Sequence, residues 1–131
     1  RDAFWERALH NLETIGKAAP ECRISLNDLD DADALRASIE GSDILTNATR
    51  VGMKPMDDQS LITDTTMLRP GLIVTDVVYD PEETKLLREA KAAGCKTFDG
   101  LGMLVEQGAA SFNLYTGLDM PVAEVCDAIY R

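Results

Sequence analysis

Apolar and polar positions change period several times along the chain, and each change predicts an element. Over residues 3–17, Phe4, Ala8, Leu12 and Ile15 recur at helical spacing, which predicts an amphipathic helix weakened by Gly16 and ended by Pro20. Arg23-Ile24-Ser25-Leu26 predicts a short strand, and Asn27 or Asp28 is placed to cap a second helix that carries Leu29, Leu35 and Ile39 and stops at Gly41. The run Asp43-Ile44-Leu45-Thr46-Asn47 is short and apolar, bounded by Gly41 before it and by Gly52 and Pro55 after it. It suits a buried parallel strand followed by a loop. Residues 57–69 are polar with scattered Leu61, Ile62, Met67 and Leu68, a loop with one helical turn. Pro70-Gly71 signals a turn into Leu72-Ile73-Val74-Thr75-Asp76-Val77-Val78, the clearest strand, β-branched and nearly continuous. Pro81 fits the first turn of a helix whose positive end Glu82 and Glu83 favour, and which runs through Leu86, Leu87 and Ala90 to Gly94. Residues 95–98 form a last short strand, and helices follow over 102–115 and 121–130, with Met103, Leu104, Phe112 and Leu114 expected in the core.

Strands alternating with helices imply a parallel α/β sheet with right-handed crossovers. In such sheets ligands sit beyond the carboxyl ends of the strands. Asn47, Thr49 and Arg50 fall at one such end, where Asn and Thr offer hydrogen bonds and Arg a cationic fork suited to phosphate; taken alone, the same residues also make a polar turn with a solvated Arg.

Composition narrows the class. A length of 131 residues suits one domain, and no apolar run is long enough to span a bilayer. The formal charge of −10 argues against nucleic acid, which needs a basic face. No secretory signal pattern opens the sequence, and Cys22, Cys95 and Cys126 match neither a disulfide framework nor a zinc ribbon; they read as small buried thiols of a reducing cytoplasm. His10 lies on a helix with no nucleophile nearby and reads as a surface residue. Asp57-Asp58 and Glu82-Glu83 read as solvated pairs without partners at metal-ligand spacing, so no metal is expected.

Three linked segments carry a resemblance. The stretch 42–55 with its N-A-T-R-V-G-M, Asp76-Val77-Val78-Tyr79-Asp80-Pro81, and 99–109 with G-L-G-M-L-V-E-Q-G, followed by Phe112 and Tyr115-Thr116-Gly117, are similar in order and spacing to the nucleotide-binding half of the shikimate and quinate dehydrogenases. The resemblance implies a Rossmann-like α/β fold, a parallel sheet with flanking helices that is incomplete because its first two strands are absent. No G-x-G-x-x-G occurs; Gly100-Leu101-Gly102 comes nearest but lacks the third glycine and follows the last strand. In the family that turn lies upstream of Arg1. The whole chain, residues 1–131, then reads as a partial NAD(P)-binding domain with C-terminal helices and without an N-terminal catalytic domain. With strand order 3-2-1-4-5-6, the strand at Cys22–Leu26 would lack its native neighbour; direct pairing with Ile44–Asn47 would contradict this.

The function implied is interconversion of 3-dehydroshikimate and shikimate, or of 3-dehydroquinate and quinate, by hydride transfer with NAD or NADP, in aromatic amino-acid biosynthesis. The family's Lys and Asp catalytic pair belongs to the missing domain, so no catalytic residue is expected here, Lys54 and Asp76 included, and the chain alone is expected to be inactive. The cofactor residues implied are Arg1, Asp2, Asn47, Thr49, Arg50, Val77, Val78, Tyr79, Asp80 and Gly100. Asp2 would favour the free 2′-hydroxyl of NAD and Arg1 would accept the 2′-phosphate of NADP, while Asp2 also serves as a plain helix cap. Arg50 resembles the loop cation near the phosphates or ribose, Val77 to Asp80 the segment beside the nicotinamide, and Gly100 a point where backbone approaches it. Gln107 resembles the residue that hydrogen-bonds a substrate hydroxyl. The reading admits a homodimer. Its alternatives are a non-catalytic nucleotide-binding or regulatory module of the same fold, or a related dehydrogenase acting on another cyclic polyol or a folate.

Overall fold

The computed structural model describes residues 2–129, the side chains of residues 2 and 3 apart. The chain divides into two compact units, the first reaching Ser38 and the second starting at Ile39.

The first unit opens with helix α1 (Asp2–Ala18), which ends just before Pro20. Ala8 and Leu12 are half-buried along its stripe while Phe4, Leu9 and Ile15 are exposed. Glu13 and Lys17 pair at 2.7 Å in the favoured order, the acid one turn before the base. Residues 23–28 form no strand, which corrects the expectation for Arg23–Leu26: a strand exists only through a ladder with a neighbour, and the described residues provide none. Helix α2 (Ala32–Glu40) starts later than its pattern implied. Its cap is Asp31, whose Oδ1 accepts from the Ala34 backbone at 3.0 Å, whereas Asp28 turns the preceding segment by accepting from Asp30 at 3.1 Å. Leu29 therefore stands outside the helix. Cys22 is exposed rather than buried; Cys95 is buried and Cys126 half-buried, and all three are free thiols.

The second unit holds a parallel sheet of three strands in the order β1 (Ile44–Asn47), β2 (Ile73–Asp76), β3 (Lys96–Phe98). The register sets Ile44 opposite Ile73, Asn47 opposite Asp76, and Thr75 opposite Phe98. With helices flanking parallel strands, this is the Rossmann-like α/β arrangement. Between β1 and β2 the chain makes a loop with a 3-10 turn at Thr65–Met67, whose Met67 and Leu68 are buried. The same connection supplies Arg69, whose guanidinium donates to the carbonyls of Ser42 at 2.8 Å and Glu40 at 3.2 Å, where α2 leaves carbonyls without helical partners.

Helix α3 (Lys85–Ala92) joins β2 to β3 and packs on both, burying Leu86, Leu87 and Ala90 over Leu72 and Val74 in the core. It begins at Lys85, not at Pro81, because Thr84 is the cap and accepts from the Leu87 backbone. Pro81 and the two glutamates precede the helix, and Glu83 pairs with Lys91. The chain closes with α4 (Leu101–Thr116) and α5 (Val122–Ile129), which contact each other. Leu101 and Val105 are the buried residues of α4; Met103, Phe112 and Leu114 are exposed and Leu104 half-buried, so the expected core positions are not the covered ones. A helix that is apolar nearly all round gives its sequence no single stripe from which to choose a buried side. Among the described residues no helix is long and apolar enough to cross a membrane.

Candidate functional site

The carboxyl ends of the three strands meet at one edge of the sheet, and their loops are tied together by backbone and side chain. β1 ends at Asn47, 5% exposed. Its Nδ2 donates to the Val51 carbonyl at 2.9 Å and to Asp76 Oδ1 at 3.0 Å. Its Oδ1 accepts from the Thr49 backbone at 3.0 Å and the Thr49 hydroxyl at 2.8 Å. An amide with both donors and both lone pairs engaged has nothing to offer a ligand. Thr49 Oγ also accepts from the Val51 backbone at 3.1 Å, so these two residues fold the loop back onto the strand end. Arg50 is exposed, and no hydrogen bond or ion pair among the described residues engages its guanidinium.

After β2, the Val77 N–H donates to the Asn47 carbonyl at 3.0 Å, extending the ladder past the strand. Val78 is buried and donates its N–H to Asp76 Oδ1 at 2.9 Å. Tyr79 and Asp80 are exposed, with their side-chain oxygens unengaged among the described residues. The turn after β3 closes on this segment: the Gly100 N–H donates to the Val78 carbonyl at 3.2 Å. A Cβ on Gly100 would lie 2.4 Å from the Val77 carbonyl oxygen and 2.8 Å from the Val78 carbonyl carbon, so no side chain fits. The close approach that requires this glycine is thus between two protein turns. Gln107 sits on the exposed surface of α4, about 10 Å along the helix from Gly100.

Of the residues expected to contact a cofactor, Asn47, Thr49, Arg50, Val77, Val78, Tyr79, Asp80 and Gly100 share this edge. Arg1 and the Asp2 side chain lie outside the described residues. Two residues of the site were not anticipated, Asp76 as a buried carboxylate and Thr84 as its partner; Thr84 Oγ donates to Asp76 Oδ2 at 2.8 Å. A signal existed for the first. Asp76 follows Leu72 and Val74 at period two, so it shares their inward side. A cavity of about 400 Å³ is lined by Glu82, Glu83, Leu87, Lys91, Thr97 and Asp99, none of them among the expected site residues. There the hydrogen bond to Glu83, then its negative charge, hold the Lys91 ammonium above the ordinary lysine value.

A family profile described as "Shikimate 5'-dehydrogenase C-terminal domain" matches residues 100–130. The quinate/shikimate dehydrogenase of Escherichia coli is 46% identical over 125 residues, covering 95% of this chain. The chain belongs to the shikimate/quinate dehydrogenase family. Within that family, the crystal structure of the Listeria monocytogenes shikimate 5-dehydrogenase in complex with shikimate and NAD superposes on 96% of this chain with a TM-score of 0.90 and 43% identity. A shikimate dehydrogenase in complex with NADP+ covers 95% with a TM-score of 0.82 and 34% identity. The chain spans 43% of the length of the Escherichia coli and Listeria relatives and 42% of the NADP+ complex.

Proposed function

We propose that this chain is the cofactor-binding part of an NAD(P)-dependent shikimate/quinate dehydrogenase of the cytoplasm, whose proton-transfer residues lie in another domain. One observation carries the reading: residues expected at the cofactor from three separate segments gather at the carboxyl edge of one parallel sheet. There Arg50, Tyr79 and Asp80 keep exposed polar groups that nothing else in the described residues engages. Such an edge is where this class of sheet takes a dinucleotide.

A bound nicotinamide would accept or return the hydride. The chain's own part is binding and orientation. Arg50 supplies a fixed cation to phosphate or ribose oxygens. The Val77–Val78 segment is held by the Asn47 carbonyl and the Asp76 carboxylate, so that half-buried Val77 offers an apolar surface in a fixed position. Gln107 has an amide that nothing among the described residues engages and that can hold a substrate hydroxyl. The Escherichia coli relative is named for both quinate and shikimate, and the solved relatives bind NAD in one case and NADP+ in the other, so either substrate and either nucleotide fit the reading.

The test is an assay of the full-length protein that contains this chain, with shikimate and quinate, each with NAD and NADP. Reduction of a nucleotide by at least one pair is expected. Nucleotide binding without turnover would convert the reading to a non-catalytic module of the same fold, and the absence of both binding and turnover would overturn it.

A further inference from the structure

Among the described residues the buried polar side chains are Asn47, Asp76 and Thr84, and they form one cluster. Its centre is Asp76, 3% exposed. The carboxylate accepts three hydrogen bonds, each from a different segment: Asn47 Nδ2 at the end of β1, the Val78 N–H after β2, and the Thr84 hydroxyl at the start of α3. All three donors are neutral. A buried carboxylate held only by neutral donors is costly to keep unless every bond is made. Gly52 completes the junction. It is buried with φ +101°, and a Cβ there would meet the Thr84 side chain at 3.1 Å, so the loop after Asn47 lies directly on the α3 cap.

We propose that Asp76 is a positioning residue for the nucleotide: it fixes the spacing between the loop bearing Arg50 and the Val77–Asp80 segment, although burial keeps it from the ligand. The inference rests on the proposed cofactor role of those two segments. One carboxylate sets both because Asn47 Nδ2 also binds Val51, so moving Asp76 moves the first loop at both ends. Asparagine at this position keeps the oxygen that serves Asn47 and Val78 but presents an NH2 to Thr84. Only the α3 arm is then weakened. Alanine loses all three arms, and Thr84→Val removes the α3 arm from its other side.

The experiment measures NAD and NADP binding by calorimetry, and KM for nucleotide and for substrate separately, in the full-length parent protein and in Asp76→Ala, Asp76→Asn and Thr84→Val. Asp76→Ala is expected to weaken nucleotide binding by about tenfold or more, with the KM for shikimate or quinate within about twofold; Asp76→Asn should recover most of the loss. Folded variants whose nucleotide affinity and KM stay within about twofold of the parent would overturn the inference while leaving the proposed function intact. Should Asp76→Ala fail to fold, Asp76→Asn and Thr84→Val decide: a nucleotide-specific loss of a few fold supports the role, and none overturns it. Equal losses for nucleotide and substrate would mark Asp76 as merely structural. A parent that binds neither nucleotide would remove the proposed function itself.

Discussion

The two faces of the sheet differ although the same strands build both. On one face, Leu45, Asn47, Val74 and Asp76 are half-buried to buried, and α3 packs over β2 and β3. On the other, Ile44 is 57% and Phe98 48% exposed, with Thr46, Ile73, Thr75 and Lys96 beside them. The same chemistry acts differently on the two sides. Thr75 and Thr46 on the open face only bond each other, at 2.9 Å, whereas Asn47 and Asp76 on the covered face join three segments. A polar group shapes a loop when burial leaves it no water to turn to. Parallel sheets ordinarily carry apolar residues on both sides because both are covered, and Ile44 and Phe98 are residues of that kind.

Substitutions on the two sides put the contrast to the test. The largest effect is expected where the covered region is tightest. Gly100→Ala drives a methyl into the Val77 carbonyl, which is backbone and cannot swing aside, and should destabilise by about 3 kcal/mol or more in urea unfolding. A loss below about 1 kcal/mol would mean the two turns are free to separate. Next comes a paired measurement. Val74→Ala, fully buried, should cost about 2 kcal/mol, and Ile44→Ala, which deletes more carbon, less than about 1 kcal/mol. Equal costs would show that the open face is covered in the intact protein. The smallest effect belongs to an exposed pair. Glu83→Gln removes the charge that does most to raise Lys91, so the lysine titration should move down toward its ordinary value, as read by side-chain NMR. Because a raised lysine stabilises below its unfolded pKa and loses that contribution as pH rises through the folded one, the matching stability change fades only in alkaline solution. A Lys91 titration unmoved in Glu83→Gln would remove Glu83 as the cause.

Much of this was legible in sequence, and the exceptions have a common cause. The β1 and β2 strands, α1 and the 3-10 turn were visible because short β-branched runs, helical stripes and Gly or Pro punctuation are local signals. The gathering of Asn47, Arg50, Tyr79 and Gly100 at one edge was legible through their resemblance to a family pattern. What escaped depends on partners far along the chain. Arg23–Leu26 has strand-like residues but no ladder among the described residues, and α3 begins only at Lys85, after a cap, Thr84, whose hydroxyl a carboxylate eight residues earlier also holds. Likewise, Asn47 looked like a ligand donor until its four hydrogen bonds were placed within the protein.

That saturation of Asn47 separates two kinds of position within one short loop. Asn47, Thr49 and Val51 are bonded to one another and a Cβ on Gly52 would crowd Thr84, while the side chains of Ala48 and Arg50 are exposed and engage nothing among the described residues. The loop's path is therefore independent of what Ala48 and Arg50 are. Under the proposed cofactor role, those two sites are the natural places to exchange charge or size when retuning nucleotide preference, since the scaffold beneath would not register the change.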